Sequence, residues 1–150
     1  MKRVLPIFLV LTIAIFVFPM YANAAEKENN VVYFDDGSYM TAEVITNRMR
    51  ASGSVTGNKI KTYYDSEGNT KWKAVLTGSF TYTGSSATCT SASIDVTIYD
   101  SNWYVVSKSA SKSGNTASAS VTMGKKVAGV TVSKVSANLT LSCDANGNLS

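Results

Sequence analysis

From Lys71 to Tyr82 the chain alternates almost without a break. Trp72, Ala74, Leu76, Phe80 and Tyr82 share one parity, and Lys71, Lys73, Thr77, Ser79 and Thr81 share the other. Successive side chains of a β-strand point to opposite faces, so this run predicts a long strand with one face dry and one wet. Two further segments repeat the period. Ile94, Val96 and Ile98 oppose Asp95, Thr97 and Tyr99, and Val135, Ala137, Leu139, Leu141 and Cys143 line up in the same way. Cys89 is out of phase with Ile94, which predicts a bulge in the Ser91–Ser93 region if both are to face inward.

Turn signals recur at strand-like intervals around these runs. Asp65-Ser66-Glu67-Gly68-Asn69 separates a strand near Lys59–Tyr64 from one near Thr70–Thr83, and Gly84-Ser85-Ser86 leads into Thr88–Tyr99. Asp100-Ser101-Asn102, Lys112-Ser113-Gly114-Asn115 and Gly124-Lys125-Lys126 then introduce strands at Trp103–Ser109, Thr116–Met123 and Val127–Cys143. No helical pattern intervenes, so the reading is an all-β, antiparallel two-sheet sandwich over residues 51–150. Composition agrees. Ser and Thr supply 35 of the 126 residues after Ala24, and with Val and Tyr they suit pleated surfaces and turns. Residues 25–50 read as a polar N-terminal lead, with Tyr39–Met49 compatible with either a strand or a short helix.

Cys89 and Cys143 are the only cysteines. An even pair in a small exported domain predicts a disulfide, and closing that loop of about 55 residues is worth roughly 4 kcal/mol. With Trp103 between them the spacing is immunoglobulin-like. Leu141 stands where a tyrosine corner would need Tyr, however, so the pattern supports a stapled sandwich and leaves the strand topology open.

The export expectation comes from residues 1–24. Lys2 and Arg3 precede an apolar run from Val4 to Phe18, Pro19 ends it, and Ala22-Asn23-Ala24 supplies small residues for cleavage between Ala24 and Ala25. Fifteen apolar residues interrupted by Pro6 fall short of the roughly 20 a spanning helix needs, and no stable membrane span is expected after cleavage. The product should be secreted or associated with the cell surface.

The remaining chain has a net charge of +2, and its lysines are scattered in pairs such as Lys59/Lys61, Lys71/Lys73 and Lys125/Lys126. That argues against nucleic acid as a partner. The first two pairs read as solvated strand faces. Asp65-x-Glu67-Gly68-Asn69 and Asp144-x-Asn146-Gly147-Asn148 resemble calcium loops, but their Gly falls at position four and neither supplies a Glu at twelve. They read as turns, and no metal or cofactor is expected. Histidine is absent and no G-x-S-x-G elbow marks a serine, so the chain reads as a non-enzyme. Trp72, Phe80 and Tyr82 belong to the core face. Tyr99 and Tyr104 are the aromatic residues best placed for a ligand platform.

The stretch Lys71-Trp72-Lys73-Ala74 through Thr81-Tyr82-Thr83-Gly84-Ser85-Ser86-Ala87-Thr88-Cys89, together with Lys108–Thr116 and the ending Leu141–Ser150, resembles a family of small exported proteins of Gram-positive anaerobic bacteria grouped as a domain of unknown function. The resemblance spans about Ala51 to Ser150 and implies export alone. The expected role is a non-catalytic extracellular or cell-envelope interaction protein with an unknown extracellular or cell-wall partner. A secreted antibacterial or toxin-like effector and a carbohydrate-binding module are the alternatives. The secreted protein should have the intact mass of Ala25–Ser150, and a mass retaining residues 1–24 would overturn the cleavage reading.

Overall fold

The computed structural model describes residues 30–47 and 53–150, which form eight strands and no helix. The signal segment and the Ala24–Ala25 cleavage site lie outside the described residues. Five strands make one antiparallel sheet in sequence order: β1 (Asn30–Tyr33), β2 (Tyr39–Asn47), β3 (Ser54–Tyr64), β4 (Thr70–Tyr82) and β5 (Ala87–Ile98). Three more, β6 (Trp103–Ser113), β7 (Thr116–Val127) and β8 (Val130–Ser142), make the second. Each strand pairs only with its neighbours in sequence, so both sheets are meanders. The Greek-key crossover that defines immunoglobulin topology does not occur among these strands.

The alternation in β4 determines the core. Trp72, Ala74 and Leu76 have no exposed surface and Phe80 is 1% exposed. Opposite them the small sheet contributes Ala117, Ala119, Val121 and Met123 from β7 and Ala137, Leu139 and Leu141 from β8. β7 lies against β4 and β5, and β8 against β3 and β4, giving two sheets face to face. At one end Tyr63 stacks on Trp72, with ring centroids 5.4 Å apart, and meets Trp103 edge-on at 5.1 Å. Such offset and T-shaped contacts suit the ring quadrupoles.

Several boundaries differ from the sequence expectation, each for a local reason. Tyr39–Asn47 is a full strand, paired along its length with β3, so the domain extends back to Asn30 and does not begin at residue 51. The expected bulge sits at Thr90. Ser91 pairs with Ser79 while Cys89 pairs with Phe80, leaving Thr90 as the extra residue that brings Cys89 and Ile94 to the same face. Gly124-Lys125-Lys126 is not a turn. β7 runs on to Val127, and the chain reverses through Ala128 and Gly129, whose φ of 49° and 82° are those of a type I′ hairpin.

The expected Cys89–Cys143 disulfide is not formed. Both thiols are free and buried, and each is turned to a nearby carbonyl of its own chain segment. Cys89 Sγ donates to Ser91 O at 3.3 Å and Cys143 Sγ to Asp144 O at 3.4 Å. Burial pushes both thiols above their ordinary pKa, which disfavours the reactive thiolate.

The facing assignments predict how truncations behave. Trp72→Ala should cost about 3–5 kcal/mol, as expected for emptying a large buried site. Tyr99, 56% exposed on the β5–β6 turn, should lose much less when truncated to alanine. Urea unfolding midpoints decide this, and an unchanged midpoint for Trp72→Ala would refute the packing.

Candidate binding site

Register places two lysines where the local pattern of β3 does not lead one to expect them. Tyr63 pairs with Trp72, Lys61 with Ala74, Lys59 with Leu76 and Val55 with Phe80. Directly paired residues share a face, so Lys59 and Lys61 lie on the same inner face as the core of β4. Both are half-buried. The solvated-face reading of this pair is therefore corrected: Lys59 and Lys61 do share one face, but it is the inward one, at the margin of the core.

β8 covers β3 only in part, and beyond its edge the inner face of β1–β3 floors a groove of about 280 Å³. Val32, Met40 and Ala42 supply apolar floor, and Lys59 and Lys61 stand beside them. Asn30 lies at the β1 end, and Asn138 and Thr140 of β8 form the opposite wall. Residues two apart on a strand have Cα atoms about 6.8 Å apart, so both ammonium groups can reach a single bound group.

Burial, and then the charge of Lys59, push the Lys61 pKa below its ordinary value of 10.5. Among the described residues neither lysine has an ion pair or a hydrogen bond. Other lysines of the molecule are used differently. Lys71 pairs with Asp65 at 2.9 Å and Asp100 at 3.2 Å, and its pKa is raised by those contacts. Lys108 and Lys112, inward-facing on β6, donate to Ile94 O at 3.3 Å and Thr90 O at 2.7 Å on the margin of β5. The groove thus combines unpaired positive charge, amide and hydroxyl groups, and an apolar strip, an arrangement suited to holding an anion.

The residues singled out from the sequence are placed elsewhere. Tyr104 lies flat on Gly124, where an added Cβ would come within 2.5 Å of the ring. Lys126 Nζ sits 4.4 Å from the ring centroid, and the hydroxyl bonds Thr131 Oγ1 at 2.7 Å. That ring is committed to its own sheet, and among the described residues no ring contact joins it to Tyr99. The two acidic turns have the same internal wiring. Asp65 Oδ1 accepts from the backbone of Glu67 and Asn69, and Asp144 Oδ1 from Asn146 and Asn148, at 2.8–3.0 Å. Their carboxylates hold the turns closed. The Lys71 ammonium and then the Asn69 backbone lower the Asp65 pKa, and the Asn148 side chain and backbone lower that of Asp144.

A second feature also escapes a strand-by-strand reading. The outward positions of the small sheet are Ser107, Ser109, Ser111 and Ser113 on β6, Thr116, Ser118, Ser120 and Thr122 on β7, and Ser136, Asn138, Thr140 and Ser142 on β8. Cross-strand hydroxyl bonds of 3.1–3.3 Å tie Ser109 to Ser120, Thr116 to Ser142 and Thr122 to Ser136. A smaller cavity of about 140 Å³ at the aromatic end holds Asp36, Ser38 and Tyr63. There Tyr63 Oη donates to Ser38 Oγ at 2.8 Å and Ser38 donates to Asp36, a chain that closes on itself.

Half-buried like charges without partners cost stability, so replacing Lys61 with Met, which keeps the apolar stem, should stabilise the fold by about 0.5–2 kcal/mol. The folded chain holds the Lys61 proton less tightly than the unfolded chain does. Wild-type stability relative to the variant should therefore rise as pH climbs towards 10.5. Lys71→Met, which breaks two ion pairs, should destabilise. Urea titrations across pH test this, and a destabilised Lys61→Met would make the pair structural.

No family model matches the chain, and no curated protein matches it. A solved structure, that of the hypothetical protein lmo2686 from Listeria monocytogenes EGD-e at 2.75 Å, is similar with a TM-score of 0.47 and 17% sequence identity. The likeness covers 81% of this chain and 90% of that one.

Proposed function

We propose that this chain is an exported, non-catalytic interaction protein that works outside the cell or at its envelope, holding an anionic ligand in the groove beside Lys59 and Lys61. The observation that carries the reading is the contrast among inward-facing lysines. Lys108 and Lys112 have carbonyl acceptors and Lys125 lies near the Asp36 carboxylate, whereas Lys59 and Lys61 have no partner among the described residues and stand over an open groove. Two unpaired ammonium groups at the edge of a core are costly to keep, and binding is a reason to keep them. The groove offers hydrogen-bond donors and positive charge beside apolar surface. Export is supported by the basic, apolar and small-residue order of residues 1–24 and by the resemblance to exported proteins.

The test is retention on isolated cell envelopes of the producing organism. The mature protein should bind in low salt and release as salt rises. The Lys59→Gln/Lys61→Gln double variant should bind about tenfold more weakly. Equal retention of wild type and double variant would overturn the groove as the site, and growth inhibition of neighbouring bacteria by the purified protein would favour the effector reading instead.

A further inference from the structure

We infer that the groove selects an anionic amphiphile, a ligand with a phosphate or carboxylate head and an apolar tail; this rests on the groove being the binding site and adds the class of ligand. The two halves of the groove satisfy different parts of such a molecule. Lys59 and Lys61 are on one strand, two residues apart, and their ammonium groups can converge on a head carrying two or more anionic oxygens. A small hydrated anion would satisfy the charge and leave the rest of the groove unused. Across the strands from Lys61 lie Ala42 and then Asn30, and the neighbouring row runs from Tyr63 through Met40 to Val32. Met40 and Ala42 are 5% and 8% exposed, while Val32 is 56% exposed. An apolar strip of Ala42, Met40 and Val32 therefore runs diagonally from Lys61 across β2 to β1 and ends in an exposed valine two residues from Asn30.

The geometry gives a direction to the ligand. Its head sits near β3, where the charge is, and its tail runs across the strands towards Val32. Burying a tail there removes from water the tail's own surface and that of Val32, and the gain grows with the length of tail covered. The depressed affinity of Lys61 for its proton is consistent with this placement, because an arriving anion restores it. The β8 edge at Asn138 and Thr140 closes the other side of the groove.

The experiment uses purified mature protein and four probes, decyl phosphate, decanoate, inorganic phosphate and decyl maltoside, with the three amphiphiles below their micelle concentrations. Calorimetry should show decyl phosphate or decanoate binding at least about tenfold more tightly than either inorganic phosphate or the uncharged maltoside. The two anionic arms distinguish a phosphate head from a carboxylate head. Lys59→Gln/Lys61→Gln should weaken the anionic amphiphile about tenfold, and Val32→Asn should weaken it while leaving inorganic phosphate unchanged. Should a variant fold poorly, NMR of wild-type protein with methylated lysines decides the same question, because the Lys61 resonance must titrate at higher pH when the ligand is bound. Inorganic phosphate or decyl maltoside binding as tightly as the better of the two anionic amphiphiles would overturn the inference. Sedimentation showing the apolar strip covered by a second copy at the assay concentration would also overturn it. If the amphiphiles fail while envelope retention still depends on Lys59 and Lys61, the ligand class is wrong and the proposed function stands. If retention is also independent of both lysines, both fall.

Discussion

A sheet of five strands packed against a sheet of three leaves about two strand widths, roughly 10 Å, of inner face without an opposing layer. The rest of the molecule follows from how the sequence handles that mismatch. Beneath the small sheet the inner face is filled with Trp72, Leu76, Phe80, Leu139 and Leu141, and packing there leaves no buried side-chain polar atom unpaired except the indole N–H groups of Trp72 and Trp103 among the described residues. Beyond the edge of β8 the same face must meet water. Continuing the apolar pattern would have exposed a patch prone to association. Two lysines stand at that boundary instead, with a short apolar strip outside them.

Five lysines of this protein, Lys59, Lys61, Lys71, Lys108 and Lys112, divide by what accepts their hydrogen bonds. On β6 the inward-facing Lys108 and Lys112 cap carbonyls on the margin of β5, a known way to blunt a sheet edge, and they are structural in effect. Lys71 is neutralised by two aspartates at the end of the sandwich. Lys59 and Lys61 are held close to each other, partly dehydrated, and left without a counter-charge among the described residues. A fold that satisfies these other lysines and leaves this pair unsatisfied keeps free energy available for a ligand to recover.

The core is legible in the sequence because period-two alternation needs only local information, and β4 follows it from Trp72 to Tyr82 with bulky residues on one side. The β4–β5 bulge can also be anticipated, since Cys89 and Ile94 can share a face only with one added residue. The groove is not legible. Lys59-Ile60-Lys61 taken alone reads as wet, dry, wet. Pairing Ile60 with Val75 and Lys61 with Ala74 puts the lysines on the inner face and Ile60, still buried, on the outer one, and register is a non-local property. The position of the β7–β8 hairpin is hidden for a related reason. Gly124 reads as a turn residue, but it is a strand glycine kept small because the Tyr104 ring lies on it. Count and setting together pair the two cysteines, and neither of those senses where a thiol points.

The join between β5 and β6 has a mechanical side. No backbone ladder crosses it. Two flexible lysine tethers reaching Ile94 and Thr90, and the single backbone bond from Cys89 N to Gly114 O, bridge the two strand margins. Asn30 begins the first sheet and Ser142 ends the last strand of the second, so tension applied between the two ends of the fold loads one layer against the other. Such a pull is carried by the apolar interface between the layers and by the four-pair ladder that joins exposed β1 to β2.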